Sequence, residues 1–156
     1  MRTDLPEGWS RTRIGDQFQR ITRKNAKGCS RVLTASGEHG LIDQVEYFNK
    51  RVAGRDLSKY LLLRRGEFAY NRSSMNGYPV GATKRLDRYD EGVLSTLYLC
   101  FGLRGRASVL SDYAAQLFGS GILNDELRTV AQVGARAHGL LNVKARDYME
   151  VGFPLP

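Results

Sequence analysis

GEFAYNRSSMNGYPVGATKRLDRYDEGVLSTLYLCF, residues 66–101, decides how this chain is read. Phe68-Ala69-Tyr70 has the aromatic content of a strand, and Val80 to Leu86 and Val93 to Phe101 read as two more, joined by Asp87-Arg88-Tyr89-Asp90-Glu91-Gly92. The apolar density of Val93–Phe101 predicts a central strand. Between these runs lies Asn71-Arg72-Ser73-Ser74-Met75-Asn76-Gly77-Tyr78-Pro79. Asn71 and Asn76 are able to pair bidentately with adenine, Arg72 with guanine, and Ser73, Ser74 and Tyr78 with phosphates or bases. The same loop also reads as a plain connection in which Asn76-Gly77 makes a tight turn. Lys84, Arg85 and Arg88 follow and are placed to hold a flanking backbone, or to pair with Asp87, Asp90 and Glu91 on the surface; either account leaves them exposed.

Upstream, Leu5-Pro6-Glu7-Gly8-Trp9 marks a turn, with the only tryptophan expected to anchor the terminus on the core. From Arg11 to Arg31 seven basic residues face one acid, Asp16, and Ile14, Phe18 and Ile21 recur at helical spacing, which predicts a short amphipathic helix with a basic outer face. Arg31–Ser36 reads as a strand, Gly37–Gly40 as a turn before Leu41–Gln44, and Asp56–Tyr60 as a turn of helix before the apolar Tyr60–Leu63. Downstream the pattern turns helical: Tyr113, Leu117 and Phe118 share a face behind Ser111, a capping candidate, with Gly119 and Gly121 ending the helix. Leu123, Leu127 and Val130 predict a second helix from Asn124 towards Val133. After the loop Gly134–Leu141, Asn142-Val143-Lys144 is expected as a last short strand. No internal repeat or low-complexity linker interrupts this order. Strands dominate the first two thirds and helices follow, so the expected fold is α+β: a single domain, residues 1–156, with a mixed, mainly antiparallel β-sheet, loops that read DNA, and helices in the C-terminal third.

Composition sets the outer limits. With 156 residues, 42% hydrophobic and 26% charged, the chain is long enough for one real core and is not expected to be disordered. Lys+Arg 24 against Asp+Glu 16 gives a net charge of +8 and a pI of about 9.8, and 18 of the cations are arginine. That balance favours a polyanionic partner through counterion release, with guanidinium forks suited to phosphate and guanine, although a merely solvated basic surface has the same composition. Cys29 and Cys100 have no metal or redox spacing and read as a partly exposed thiol and a buried small hydrophobe. The start shows no charged n-region followed by an apolar h-region, and no apolar stretch nears the ~18 residues of a bilayer span, so a cytoplasmic, reduced protein is expected.

Catalysis finds no support in the motifs. His39 and His138 stand far apart, and neither Gly-x-Ser-x-Gly, nor Walker A, nor an Asn-Pro-Pro-Tyr methyltransferase segment is present. The chain reads as non-catalytic, with no metal and no cofactor of its own. Two further polar clusters suit a nucleic-acid groove. Thr34, Ser36 and His39 end a predicted strand, where strand-end hydrogen bonding is the alternative account, and Arg136 with His138 sits in the glycine-bounded Gly134–Gly139 loop.

The chain resembles a target-recognition domain from the specificity subunit of a type I restriction-modification system. The resemblance rests on ordered landmarks: Leu5-Pro6-Glu7-Gly8-Trp9, Ile14-Gly15-Asp16, Leu33-Thr34-Ala35-Ser36, Gly66–Asn71, Tyr78–Ala82, Ser95-Thr96-Leu97-Tyr98, Gly134–Asn142 and Phe153-Pro154-Leu155-Pro156. It implies sequence-specific recognition of double-stranded DNA, reading one half of a bipartite target, with Thr34, Ser36, His39, Asn71, Arg72, Ser73, Ser74, Asn76, Tyr78, Lys84, Arg85, Arg136 and His138 as candidate contacts. It further implies DNA methyltransferase (modification) subunits as partners, restriction subunits through them, a second half-subunit, and AdoMet and ATP chemistry confined to those partners. Family members usually carry two such domains separated by long helices. This chain matches one domain without its spacer helix, as an excised domain or a half-subunit would. The alternative is a protein-docking module that binds a methyltransferase subunit through the Val93–Phe101 surface without reading sequence. An RNA-binding module would need an aromatic signature that the scattered tyrosines lack.

Overall fold

The computed structural model describes residues 4–49, 56–73, 78–131 and 143–156. Its centre is a four-stranded antiparallel sheet in the order β2 (Phe18–Arg20), β9 (Leu99–Leu103), β6 (Phe68–Asn71), β7 (Ala82–Arg85). Phe101 lies opposite Arg20 on one side and Phe68 on the other, and Phe68 in turn opposite Arg85. Three two-stranded ladders surround it: β1 (Ser10–Arg13) with β10 (Gly152–Leu155), β3 (Leu33–Ser36) with β4 (Gly40–Asp43), and β5 (Leu61–Arg64) with β8 (Glu91–Leu94). All these pairings are antiparallel; an isolated Val32–Val93 bridge is parallel. The fold is therefore the α+β class with mainly antiparallel strands that the sequence predicts, its described strands divided among four sheets.

Strands β6 and β9 are buried along almost their whole length because both faces are covered, and a doubly covered strand needs an apolar run instead of alternation. On one face Phe68, Tyr70, Leu99 and Phe101 pack with Phe18 and with α3 (Ser111–Gly119), α4 (Asn124–Ala131) and α5 (Ala145–Glu150). Phe18, Phe68, Phe101 and Phe118 meet at centroid distances of 5.2–5.8 Å, mostly edge to face. On the other face Ala69 and Cys100 pack with Leu33, Leu41, Leu61, Leu63 and Leu94 from the outer ladders. Buried hydrogen bonds tie the layers: Tyr148 stacks on Tyr70 at 4.5 Å and shares a 2.6 Å hydroxyl contact with Thr83. Gln17 accepts from the Ser108 and Val109 amides, pinning the approach to α3.

Several expectations are corrected. The Arg11–Arg31 helix is instead β1, one helical turn α1 (Ile14–Gln17), and β2. Ile14 and Phe18 do reach the same core, but because β1 pairs with the distant β10, a long-range ladder that helical spacing cannot reveal. Val93–Phe101 is not one strand: Tyr98 N–H donates to Ser95 C=O, closing a turn that sends β8 and β9 into different sheets. Of its apolar side chains Val93, Leu94, Leu99, Cys100 and Phe101 are all buried and Leu97 protrudes, so the segment does not present a continuous apolar face. Asp56–Tyr60 is a turn, not a helix. Of the strand expected over 142–144, the described residues Val143 and Lys144 are irregular and lead into α5 at Ala145; Asn142 and the whole Gly134–Leu141 loop lie outside the described residues. Ser111 is the first residue of α3 and its hydroxyl accepts from Arg85 instead of capping the helix. Trp9 is 38% exposed and does not anchor the terminus. Two short helices, α1 and α2 (Gln44–Phe48, capped by Asp43 accepting from the Val45 amide), lie outside the C-terminal third.

Candidate nucleic-acid interface

Strand β7 distributes its basic residues to opposite faces of the sheet, as the two-residue strand period requires. Lys84 turns towards the outer ladders. Its Nζ donates to Tyr78 Oη at 2.9 Å and to the Gly37 carbonyl at 3.4 Å, and lies 4.6 Å from the centre of the Tyr78 ring. One ammonium thus joins the end of the 71–79 segment to the β3–β4 turn, two clusters that the sequence holds about forty residues apart. Arg88 adds a second tie, donating from Nε to the His39 carbonyl at 3.2 Å.

The β3–β4 turn is built by Ser36, which is buried and accepts the Glu38 and His39 amides on its hydroxyl at 3.2 and 3.0 Å. Ser36 therefore acts as a turn brace, which is the strand-end hydrogen bonding weighed from sequence, while Thr34 is half-buried and His39 is exposed at the tip. Beyond His39, Tyr47 stands 6.2 Å from its ring and Phe48 packs on Tyr47, all solvent-facing. The hairpin is fixed to the sheet from behind. Tyr98 Oη accepts from the Ala35 amide, and Tyr89 Oη accepts from the Asp43 amide while donating to Glu46. Arg31 lies 4.0 Å over the Tyr89 ring and pairs with Asp43 at 2.9 Å. Tyr89 and Tyr98, scattered in the sequence, are braces for this turn, and their cross-ladder partners carry no local sequence signal.

Arg85 points the other way. It is held by Asp87 and Asp112 at 2.7 Å each and by Ser111, with its side chain 18% exposed, so it clamps β7 to α3 and is not the exposed cation expected. Burial opposes its charge, but its hydrogen bonds to Asp112 and Asp87 and the fields of those carboxylates outweigh it and its pKa is raised.

Arg72, directly after β6, is half-buried, and its Nε has no hydrogen-bond partner among the described residues. A buried N–H without an acceptor costs stability until a ligand supplies one. Burial, and next the nearby charge of Arg20, lower its pKa, so an incoming acceptor would replace lost hydration and an anionic one would also offset the Arg20 charge. Asn71 Oδ1 accepts the Ser73 amide at 3.1 Å and shapes the chain there. Gly81, at φ +88°, closes the segment: any Cβ would run into the Asn71 carbonyl and the Tyr70 ring, so only glycine admits this approach. Ser74, Asn76, Arg136 and His138 lie outside the described residues. Among the described residues no trio of His, Cys, Asp or Glu side chains is grouped to hold a metal, and no helix is long and apolar enough to cross a membrane.

No protein-family model matches the chain, and no curated protein does. Solved structures match over its whole length. One, from work on complex assembly and conformational transition of the type I R-M system, superposes with a TM-score of 0.66 at 16% identity, over 99% of this chain and 40% of that one. The HsdS subunit from Thermoanaerobacter tengcongensis superposes with a TM-score of 0.51 at 19% identity, over 99% of this chain and 34% of that one. The chain thus shares its fold with these type I R-M and HsdS structures, which is the fold that the resemblance read from the sequence implies. The chain spans about two fifths and one third of the solved chains it matches.

Proposed function

We propose that this chain recognises double-stranded DNA sequence-specifically, reading one half of a bipartite target for a type I restriction-modification complex. The observation that carries the reading is the convergence of Tyr78, Lys84 and the Gly37–His39 turn; Arg72, directly after β6, adds a buried donor that is unsatisfied among the described residues. A rigid sheet braces these short irregular segments, so the ordering cost of inserting them into a groove is met in folding and not on binding. Arg72, with Asn71, Ser73, Ser74 and Asn76, reads base edges; Lys84 and Tyr78, with Thr34 and His39, contact the backbone; Arg136 and His138 approach a phosphate. Ser36 and Arg85 hold the scaffold. The chain itself performs no catalysis and takes no cofactor; methyl transfer and strand cleavage belong to modification and restriction subunits, which assemble with it and with a second recognition half in the cytoplasm.

Selection of the chain against a pool of random duplexes tests this directly. One short motif of a few base pairs is expected, with single-stranded DNA competing poorly. Recovery of no shared motif, together with binding to a methyltransferase subunit, would establish the docking module instead.

A further inference from the structure

We propose that the cleft between α1, β2 and α5 is an oxyanion site that takes a phosphate ester through Arg20, Arg104 and Arg146, separate from the Lys84–Tyr78 contact and blind to base identity. The cleft is a cavity of about 390 Å³ lined by four arginines, Arg13, Arg20, Arg104 and Arg146, with Asp16 and Glu150 as its carboxylates. Both carboxylates are committed to the same cation. Arg13 Nη1 lies 2.9 Å from Glu150, and Arg13 donates to Asp16 from Nε at 3.5 Å and from its backbone amide at 3.2 Å.

Three guanidiniums remain. The Arg20 side chain is exposed and makes no hydrogen bond or ion pair among the described residues. Arg104 is fixed by an Nε donation to the Gly15 carbonyl at 3.0 Å, which leaves its terminal NH₂ groups presented without loss of side-chain freedom on binding. Arg146 reaches an acid only at 4.0 Å, its sequence neighbour Asp147. The walls are set closely: Gly15 lies where a Cβ would stand 3.1 Å from the Met149 carbonyl, so α1 and α5 are packed to the limit of backbone contact. Like charges gathered round one concavity repel each other and concentrate anions there, and planar guanidinium forks match the oxygens of a phosphate. Arg20 also acts on Arg72, so an anion held at Arg20 would lower the repulsion at the reading segment. Where the ligand is a duplex phosphate, the inference rests on the DNA reading above; the site chemistry does not.

Titrating inorganic phosphate into the full chain, against chloride at matched ionic strength, tests the site through arginine Nε–H resonances. Wild type should saturate, and Arg20→Gln should weaken the affinity about tenfold or more, the worth of a charged hydrogen bond, while the exposed Arg64→Gln leaves it unchanged. Non-saturable shifts, equal losses in both variants, or preference for polyglutamate over phosphate would overturn the proposal. The source of the ester follows from duplex binding: an Arg20→Gln salt slope lower by about 0.9, with base preference intact, assigns a DNA phosphate, and an unchanged slope assigns a free phosphate ester. Saturation by phosphate in a chain that binds no duplex would sink the DNA reading and leave the cleft standing.

Discussion

Gly81→Ala probes the geometry on which the candidate interface depends, and Gly66→Ala is its internal control. The two glycines have nearly the same backbone angle, φ +88° and +89°, but Gly66 has nothing within 4 Å of an added Cβ. At Gly81 that atom would overlap the Asn71 carbonyl oxygen and stand 2.7 Å from Tyr70 Cε1. The left-handed backbone should cost each variant ~1–2 kcal/mol. Overpacking against a backbone oxygen and a buried ring adds ~1–3 kcal/mol at Gly81 alone, because Tyr70 is held by its hydroxyl on the Val80 carbonyl at 2.6 Å and by stacking on Tyr148. Urea unfolding, with the m-value checked for constancy, should therefore place Gly81→Ala about 1–3 kcal/mol below Gly66→Ala. The shift needed to admit the methyl group also moves Asn71 or the Tyr78–Gly81 turn, so duplex affinity should fall in Gly81→Ala and hold in Gly66→Ala. Equal stability losses in the two variants would refute the close approach, and with it the placement of Tyr78 over Lys84.

Three other outcomes are expected. Arg72→Ala should relax base preference, whereas Lys84→Ala should weaken binding to every duplex and lower the salt slope by about 0.9, a deficit that changes about 3.5-fold between 50 and 200 mM salt; Arg85→Gln, already neutralised by two aspartates, should leave the slope alone, and equal slopes for Lys84→Ala and Arg85→Gln would undo this sorting. Thr83→Val should cost ~1–3 kcal/mol by stranding the buried Tyr148 hydroxyl, and adding Tyr148→Phe should recover part of that loss in thermal or urea unfolding; an additive double variant would deny the 2.6 Å contact. Burial pushes the Cys100 thiol up to about 12 and raises Tyr70 and Tyr148 well above the ordinary tyrosine range. In each case the folded chain keeps a proton that the unfolded chain gives up, so stability should hold below about pH 9 and fall as pH rises past the unfolded values, by up to ~1.4 kcal/mol per unit for each group; a flat profile from pH 9 to 11 would contradict their burial.

Sequence alone determined the class of fold and the material of the site. Phe68–Tyr70 and Leu33–Ser36 announce strands, Tyr113, Leu117 and Phe118 announce α3, and an arginine-rich surplus of cations announces an anionic partner, because each signal is local or summed over the chain. Tertiary structure decided which residues meet. The split of Val93–Phe101 turns on a hydrogen bond between Ser95 and Tyr98 without glycine or proline to flag it, and the pairing of β1 with β10 joins the two ends of the chain. Lys84 and Arg85 are adjacent cations of similar sequence character, yet strand alternation sends one to the β3–β4 turn and the other to the aspartates beside α3. The Arg20–Arg104–Arg146 cleft was equally hidden, since its members come from three segments and become neighbours only when α5 packs on α1. Charge and periodicity are written along the chain; proximity between distant segments is created by packing, and recognition depends on proximity.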